Sequence, residues 1–232
     1  MKKLENTLTN WSYKKLKMYR ACPYSVYLKY VLRLPAPPPN PKFEEKRQRG
    51  IIFHDTMELV INEGAPLPKL AEPFEEIVCN YIEIGATAEQ DEFFDNRWRP
   101  HQGWEGHWLI VKKDVRAVVP GEYVLVADWK TGKKHGNELD HFEQMKLYAV
   151  SEYVKDPGYP EYAVELQYVD QLDTWAHSFK PRELEKAWAD FDKDVAVMMN
   201  DTTFRPKPSV YTCRYCDYNK KNGTGECPVA AV

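Results

Sequence analysis

The sequence lacks the features of several large classes of protein. It contains no run of about 18 apolar residues, so we expect no membrane-spanning helix and no membrane partner. The first residues, M-K-K-L-E-N-T-L-T-N-W-S, include lysines but no apolar core, so they do not resemble a secretory signal and we expect a cytoplasmic protein. Lys and Arg number 32 against 35 Asp and Glu, a net charge of −3. Any nucleic-acid surface must therefore be a local patch.

Cysteine is scarce as well, because the chain has only five. An odd number without a secretory signal argues against a disulfide framework, and clustered cysteines in a reducing compartment more often bind metal. Aromatic residues, by contrast, are abundant, with 15 Tyr, 9 Phe and 7 Trp among 232 residues. Together with a hydrophobic content of 43% they exclude a disordered chain, and we expect one domain over residues 1–232.

The spacing of apolar residues predicts helices and strands in alternation. Helices are expected over residues 11–34, where Pro23 opens a second helix, and over 43–63, 73–84, 139–154 and 182–200. Short β-rich runs lie between them, at His107–Val111, Val115–Val119, Tyr123–Trp129, Tyr162–Val169 and Thr174–Phe179. This order favours an α/β fold with a mixed central sheet flanked by helices, an N-terminal helical segment and a Cys-rich C-terminal tail.

The run Y-V-L-V-A-D-W-K at 123–130 has the strongest chemical signal. Both of its alternating faces are apolar until the last residues, which predicts a central strand covered on both sides. Asp128 and Lys130 then share one face at its end. A buried carboxylate and ammonium are costly unless they pair or bind something. The two residues are therefore either a structural salt bridge or a catalytic pair.

A second carboxylate beside this pair would make a metal site. Hydrolysis of a phosphodiester needs a divalent cation to polarise the phosphoryl oxygen and activate water, and hard Mg²⁺ takes carboxylate oxygens. A nearby lysine can stabilise the developing negative charge. Asp114 is the best candidate, because the turn at Pro120-Gly121 joins its segment directly to that of Asp128. Asp95 and Glu105 have no such connection and are weaker candidates.

Asp114 followed by D-W-K-T-G at 128–132 resembles the pattern of the PD-(D/E)xK nucleases, in particular their RecB-like exonuclease branch. R-G-I-I-F-H at 49–54 is similar to the R-G-x-x-x-H helix of that branch, and Q-M-K-L-Y at 144–148 to its Q-x-x-x-Y helix. Residues 8–30 resemble the N-terminal segment of AddB-type and CRISPR-associated RecB-like nucleases. The matches extend from residue 8 to residue 228 in the order that the family shows.

The resemblance implies a metal-dependent deoxyribonuclease with a restriction-endonuclease-like core that binds Mg²⁺ or Mn²⁺. The implied metal ligands are His54, Asp114, Asp128 and the Trp129 carbonyl, and the implied catalytic residues are Asp114, Asp128, Lys130, Gln144 and Tyr148. Without the resemblance, the pattern around His54 favours a core histidine bonded to a neighbour. Gln144 and Tyr148 share one helix face, and without the resemblance surface positions are favoured for them.

Four cysteines form a second candidate site. Cys213 and Cys216 have the spacing of metal ligands on a tight turn, and Cys227 follows ten residues later. With Cys22, which like Cys227 precedes a proline, they provide enough thiolates for a zinc ion or a [4Fe–4S] cluster. The resemblance favours the iron–sulfur cluster, with residues 1–34 and 205–232 joined around it, although the gap before Cys227 is longer than the family usually shows. Cys79 is expected to be a small core residue.

These observations predict an exonuclease that acts at DNA ends or on single strands, with aromatic side chains that could stack on unpaired bases. The alternative is a non-catalytic module that keeps the fold in order to grip a DNA end or to scaffold a helicase, recombinase or integrase partner. The presence of Asp114, Asp128 and Lys130 together argues against this alternative, because a degenerate site would be expected to lose at least one of them.

Overall fold

The computed structural model of the protein describes residues 7–230. The chain forms two compact units. Residues 41–190 make up one, here called the sheet unit, and the residues before Pro41 make up the other together with those from Phe191 onward, here called the terminal unit. Every helix in the described part of the chain is too short or too polar to cross a membrane.

Helices and strands alternate along the chain in the predicted order, with two strands that the sequence did not predict. The elements are α1 Tyr13–Ala21, α2 Pro23–Val26, a π-helical turn Tyr27–Val31, α3 Pro41–Glu63, a 3₁₀ helix Lys69–Phe74, α4 Glu75–Glu83, β1 Thr87–Phe94, β2 Pro100–His101, β3 Leu109–Val119, β4 Tyr123–Lys130, α5 Glu138–Lys155, β5 Tyr162–Tyr168, a 3₁₀ turn Val169–Gln171, β6 Asp173–Phe179, α6 Pro181–Met199 and α7 Val210–Arg214.

The six strands form one sheet in the order β2-β1-β3-β4-β5-β6. β4 and β5 are parallel, and the other neighbouring pairs are antiparallel. The connection between β4 and β5 contains α5, as a crossover between parallel strands requires. The prediction of an α/β fold with a mixed central sheet is therefore confirmed.

The expectation of two short strands at His107–Val111 and Val115–Val119 was wrong, because both belong to β3. The charged residues Lys112, Lys113 and Asp114 suggested a break between them. In the structure Lys113 is buried and forms ion pairs with Glu92 of β1 and Glu152 of α5, so the strand continues through it. A buried lysine is tolerated in a strand when carboxylates from other elements compensate its charge.

β4 is buried on both faces, as its composition predicts. Its odd-numbered face packs against α3, the 3₁₀ helix and α4, where Phe53, Phe74 and Tyr81 make edge contacts with the ring of Trp129 at centroid distances of 5.7, 6.0 and 6.3 Å. Its even-numbered face meets α5, because the side chain of Lys130 reaches Gln144. The end of β4 is thereby held between helices that contribute polar side chains of their own.

The short helices of the terminal unit begin at residues that favour helix N-termini. The Ser12 side chain accepts a hydrogen bond from the Lys15 amide and caps α1. Pro23 occupies the first position of α2 after Cys22, as expected for a proline that opens a helix. Ser209 caps α7 in the same way, through the amide of Thr212.

Candidate active site

The end of β4 contains the buried charged pair that its sequence predicts. β4 lies between β3 and β5, and only 3% of Asp128 is exposed. Lys130 Nζ lies 2.6 Å from Asp128 Oδ2, close enough for an ion pair. Its approach is not along a hydrogen-bond direction, however, and residues 7–230 offer this oxygen no aligned donor. A buried carboxylate oxygen without a directed donor fits the requirements of a cation ligand.

Asp114 of β3 lies beside Asp128, as the hairpin between their strands predicts. Val115 pairs with Ala127 at the end of the antiparallel ladder, and Asp114 precedes Val115 as Asp128 follows Ala127. Asp114 Oδ2 accepts a hydrogen bond from the Trp129 amide at 2.7 Å, which fixes the carboxylate against β4. Burial and the charge of Asp114 raise the pKa of Asp128 to about 6, against the opposing effects of Lys130 and His54. Two carboxylates this close repel each other, and a bound cation would offset the repulsion.

His54 and Glu89 complete an acidic cluster around Asp114. His54 Nδ1 of α3 lies 3.3 Å from Asp114 Oδ2 and 3.4 Å from Glu89 Oε1 of β1. One ligand atom from each of the three residues lies within 4.8 Å of the other two, close enough for all three to bind a single metal ion. An imidazole nitrogen and several carboxylate oxygens suit Mn²⁺ well and can also hold Mg²⁺ with water.

The protonation of His54 depends on the same carboxylates. Burial alone would lower the pKa of His54, but its hydrogen bonds to Asp114 and Glu89 outweigh burial and raise the pKa to about 10. The imidazole is therefore a cation in the metal-free protein. It must lose that proton before it can act as a metal ligand, because only the neutral ring has a free lone pair.

A chain of hydrogen bonds orients Lys130. Its Nζ donates to Gln144 Oε1 at 3.0 Å, and Gln144 Nε2 donates to the Tyr148 hydroxyl at 2.6 Å. Gln144 and Tyr148 lie one turn apart on α5, on the face that meets β4. Burial and the charges of Asp128 and Asp114 raise the pKa of Tyr148 well above its usual value, so its hydroxyl stays neutral. Lys130 is thus fixed from one side by Asp128 and from the other by the amide oxygen.

Two features of the backbone bring α3 and β1 to the site. A Cβ atom at Gly50 would lie 3.0 Å from Thr131 Oγ1, so the glycine lets α3 pass close to the segment after β4. Glu89 has a left-handed conformation with φ of 53°, which is uncommon for a residue with a side chain. Backbone strain of this kind concentrates at functional sites.

The sequence predicted most of this cluster but missed Glu89. The structure brings together His54, Asp114, Asp128, Lys130, Gln144 and Tyr148, and it uses the Trp129 amide to hold Asp114. The weaker candidates lie elsewhere: Asp95 stabilises the turn after β1 by bonds to Arg99, and Glu105 lies on an exposed loop. Arg49 forms an ion pair with Asp170. The only sequence signal for Glu89 is its place in an acidic run before two phenylalanines.

The four predicted cysteine ligands come together in the terminal unit. Cys22, Cys213, Cys216 and Cys227 line one small cavity. Burial raises the pKa of Cys216, with smaller effects from Cys227 and Cys22. The Lys207 amide points at Cys22 Sγ from 3.5 Å, and Asn219 Nδ2 donates to the carbonyls of Cys213 and Cys216. The expectation for Cys79 was wrong, because this cysteine is exposed on α4 while Val78 and Tyr81 point inward.

Known proteins resemble the chain in sequence pattern and in fold. A family model described as the PD-(D/E)XK nuclease superfamily matches residues 10–117 and 114–220. No curated protein matches the sequence. The crystal structure of a "Putative exonuclease" from Eubacterium rectale has a TM-score of 0.50, with 10% sequence identity over 91% of this chain and 88% of that one. At this identity the likeness indicates a shared fold. The crystal structure of SSO0001 has a TM-score of 0.39, with 11% identity over 97% of this chain and 88% of that one.

Proposed function

Since this chain belongs to the PD-(D/E)XK nuclease superfamily, we propose that it is a divalent-metal-dependent deoxyribonuclease of the RecB-like exonuclease branch. The observation that supports this proposal most directly is the convergence of Asp114 and Asp128 beside Lys130, with His54 and Glu89 at the edge of the same cluster. Acidic oxygens from adjoining strands next to an amine are the groups that metal-assisted phosphodiester hydrolysis uses.

Each residue has a distinct role in this proposal. Asp114, Asp128 and His54 hold Mg²⁺ or Mn²⁺, with Glu89 and the Trp129 carbonyl as further ligands. A bound divalent ion would polarise the phosphoryl oxygen and lower the pKa of water. Lys130 donates hydrogen bonds to the attacking water or to the negative charge that develops on the phosphate.

Gln144 and Tyr148 act as positioning residues for Lys130. The Tyr148 hydroxyl accepts from Gln144 Nε2, so the amide must turn its oxygen toward the lysine. This orientation gives Lys130 a hydrogen-bond acceptor in addition to its ion pair with Asp128. The ammonium is therefore held in place without being neutralised by a second carboxylate.

The proposed substrate is DNA ends or single strands. The four cysteines of the terminal unit are proposed to hold a structural [4Fe–4S] cluster that joins residues 1–34 and 205–232. Four cysteines around one cavity support the cluster. The same four thiolates could hold one zinc ion. The resemblance to iron–sulfur RecB-like nucleases favours the cluster.

An assay on linear DNA tests the nuclease proposal. Purified protein with Mn²⁺ should degrade labelled linear DNA, and Asp128→Ala or Lys130→Ala should reduce the rate by on the order of a hundredfold or more. Glu122→Ala is the matched control, because this exposed acid lies at the turn of the same β3–β4 hairpin. Both site variants must keep the wild-type circular dichroism spectrum.

The assay also separates the nuclease from a non-catalytic module. DNA binding without cleavage in Mg²⁺, Mn²⁺, Co²⁺ or Ca²⁺ would favour a module that only grips DNA ends. Cutting at wild-type rate by both variants would show that the site is assigned to the wrong residues.

Visible spectroscopy tests the cluster. Freshly purified protein should absorb at about 400 nm and contain iron, whereas a zinc protein is colourless. Cys213→Ser or Cys216→Ser should abolish the absorbance. Cys79→Ser is the control that should leave the absorbance unchanged. Colourless protein with one equivalent of zinc would refute the cluster.

A further inference from the structure

Trp104 is an exposed tryptophan on an ordered loop. Its exposed fraction is 60%, whereas Trp98 of the same segment is 3% exposed and Trp129 is 2% exposed. The loop is fixed by hydrogen bonds from His107 Nδ1 to the Trp104 carbonyl at 2.5 Å and from His101 Nε2 to the Glu105 carbonyl at 2.7 Å. An indole ring presented to solvent by a fixed backbone is available to stack on a planar ligand.

The surroundings of the ring suit a nucleotide. Phe93 of β1 contacts it edge-on, with ring centroids 5.1 Å apart, and His107 lies at 5.7 Å. Lys112 Nζ of β3 lies 5.2 Å from the ring centroid and forms an ion pair with Asp91. Sites for unpaired nucleic acid combine these two elements, an aromatic face for the base and a cation near the backbone phosphate.

The patch formed by Trp104, Phe93 and Lys112 lies further along the same strands as the acidic cluster. β1 pairs with β3 continuously from Gln90 to Phe94, and Phe93 lies four residues beyond Glu89 on β1. Four residues at about 3.3 Å each span roughly 13 Å. That distance is about four nucleotides of a stacked strand at roughly 3.4 Å per nucleotide. A strand whose phosphate reaches the carboxylates could therefore extend along the sheet to Trp104.

We propose that Trp104, supported by Phe93 and Lys112, is a stacking subsite for an unpaired base of the DNA strand. The proposal rests on the nuclease function proposed above. A base inside a duplex already has neighbours on both of its faces, so the subsite selects single strands or frayed ends over intact duplex. It therefore gives a physical reason for strand preference that the metal ligands do not provide.

Binding experiments with three variants test the subsite. Affinities for a fluorescein-labelled oligothymidylate and for a blunt duplex would be measured in EDTA, which prevents cleavage. Trp104→Ala should weaken single-strand binding by at least about fivefold and leave duplex binding unchanged, and Trp104→Phe should keep most of the affinity. Trp175→Ala is the matched control, because Trp175 is a partly exposed tryptophan on β6, at the opposite edge of the sheet. It should bind as the wild type does.

An abasic series locates the contact. Removal of single bases along the oligonucleotide should weaken wild-type binding at one position only, and Trp104→Ala should be insensitive to the same removal. In Trp104→Phe, the oligonucleotide should quench less tryptophan fluorescence than in the wild type, although the affinity persists. This measurement does not depend on the folding of Trp104→Ala.

Three results would overturn the subsite: wild-type binding by Trp104→Ala, equal losses in Trp104→Ala and Trp175→Ala, or equal losses for single strands and duplex. Failure of the nuclease proposal looks different, because single-strand binding would remain and DNA would stay uncut in Mn²⁺.

Discussion

Lys113 and Asp114 are neighbours on β3, yet they belong to two buried charge clusters of opposite character. Lys113 contacts Glu92 and Glu152, and Glu152 is bonded in turn by Arg116 and Lys155 at 2.8 and 3.0 Å. Burial alone would raise the pKa of Glu152, but Lys113 and Arg116 outweigh it and lower the pKa. Glu152 is therefore stabilised in its charged form.

The cluster around Asp114 has the reverse balance. Three carboxylates, Glu89, Asp114 and Asp128, face two bases, His54 and Lys130. There the pKa of Asp128 is raised to about 6, by burial and by Asp114. One strand therefore contributes to a cluster in which bases outnumber acids, here called the satisfied cluster, and to another in which acids outnumber bases, here called the unsatisfied cluster. We expect the opposite directions of the two pKa shifts to reflect a structural charge cluster around Glu152 and a ligand site around Asp128.

The largest expected effect is on catalysis at the unsatisfied cluster. Asp114→Asn and Asp128→Asn should each lower the rate of DNA hydrolysis in Mn²⁺ by on the order of a thousandfold, because each removes a charged metal ligand. Single-turnover assays on labelled linear DNA measure the loss. Rates within tenfold of the wild type for both variants would contradict the contrast between the clusters.

The next effect is on stability at the satisfied cluster. Glu152→Gln should lower the free energy of unfolding by about 3–5 kcal/mol, because it leaves Lys113 buried with one partner fewer. Urea denaturation measures the change. Glu161→Gln is the control, since Glu161 pairs with Lys180 at the surface and its loss should cost under about 1 kcal/mol. Equal costs for the two variants would contradict a structural role for Glu152.

The pH dependence of stability should differ in sign between the clusters. Asp128 has a raised pKa in the folded state, so its ionisation opposes folding above about pH 6, and this cost disappears as the pH falls to its unfolded value of about 4. Glu152 has a lowered pKa, so its contribution is present above about pH 4.3 and is lost as the pH falls further.

Asp128→Asn should accordingly stabilise the metal-free protein at pH 7.5 by up to about 3 kcal/mol, with no gain at pH 4. Thermal unfolding in EDTA across this range measures the difference. A variant less stable than the wild type at every pH would show that Asp128 is a structural acid.

The smallest expected effect concerns Glu89. Glu89→Gln should weaken Mn²⁺ binding by about tenfold while leaving the fold intact, because other ligands of the cluster remain. Calorimetric titration without DNA measures this, with Glu122→Gln as the unaffected control. Unchanged affinity would mean that Glu89 only orients His54.

The parts that local patterns specify were predictable. Strand β4 and its terminal Asp128 and Lys130 follow from alternation and burial within eight residues, and the β3–β4 hairpin follows from its Pro-Gly turn. Strand β1 was missed because T-A-E-Q-D-E-F-F has no β-branched residue except its first. The acidic residues of β1 have partners that are distant in sequence. Glu92 pairs with Lys113 and Lys155, and Glu89 pairs with His54. Ion pairs between residues far apart in sequence cannot be predicted from the local spacing of apolar residues.

The left-handed backbone of Glu89 has a consequence for protein engineering. Glycine adopts this conformation without a steric penalty, so Glu89→Gly would relax the chain by about 1 kcal/mol and delete a carboxylate in the same step. Selection for heat resistance alone would favour that exchange, although it would remove a proposed ligand of the metal site.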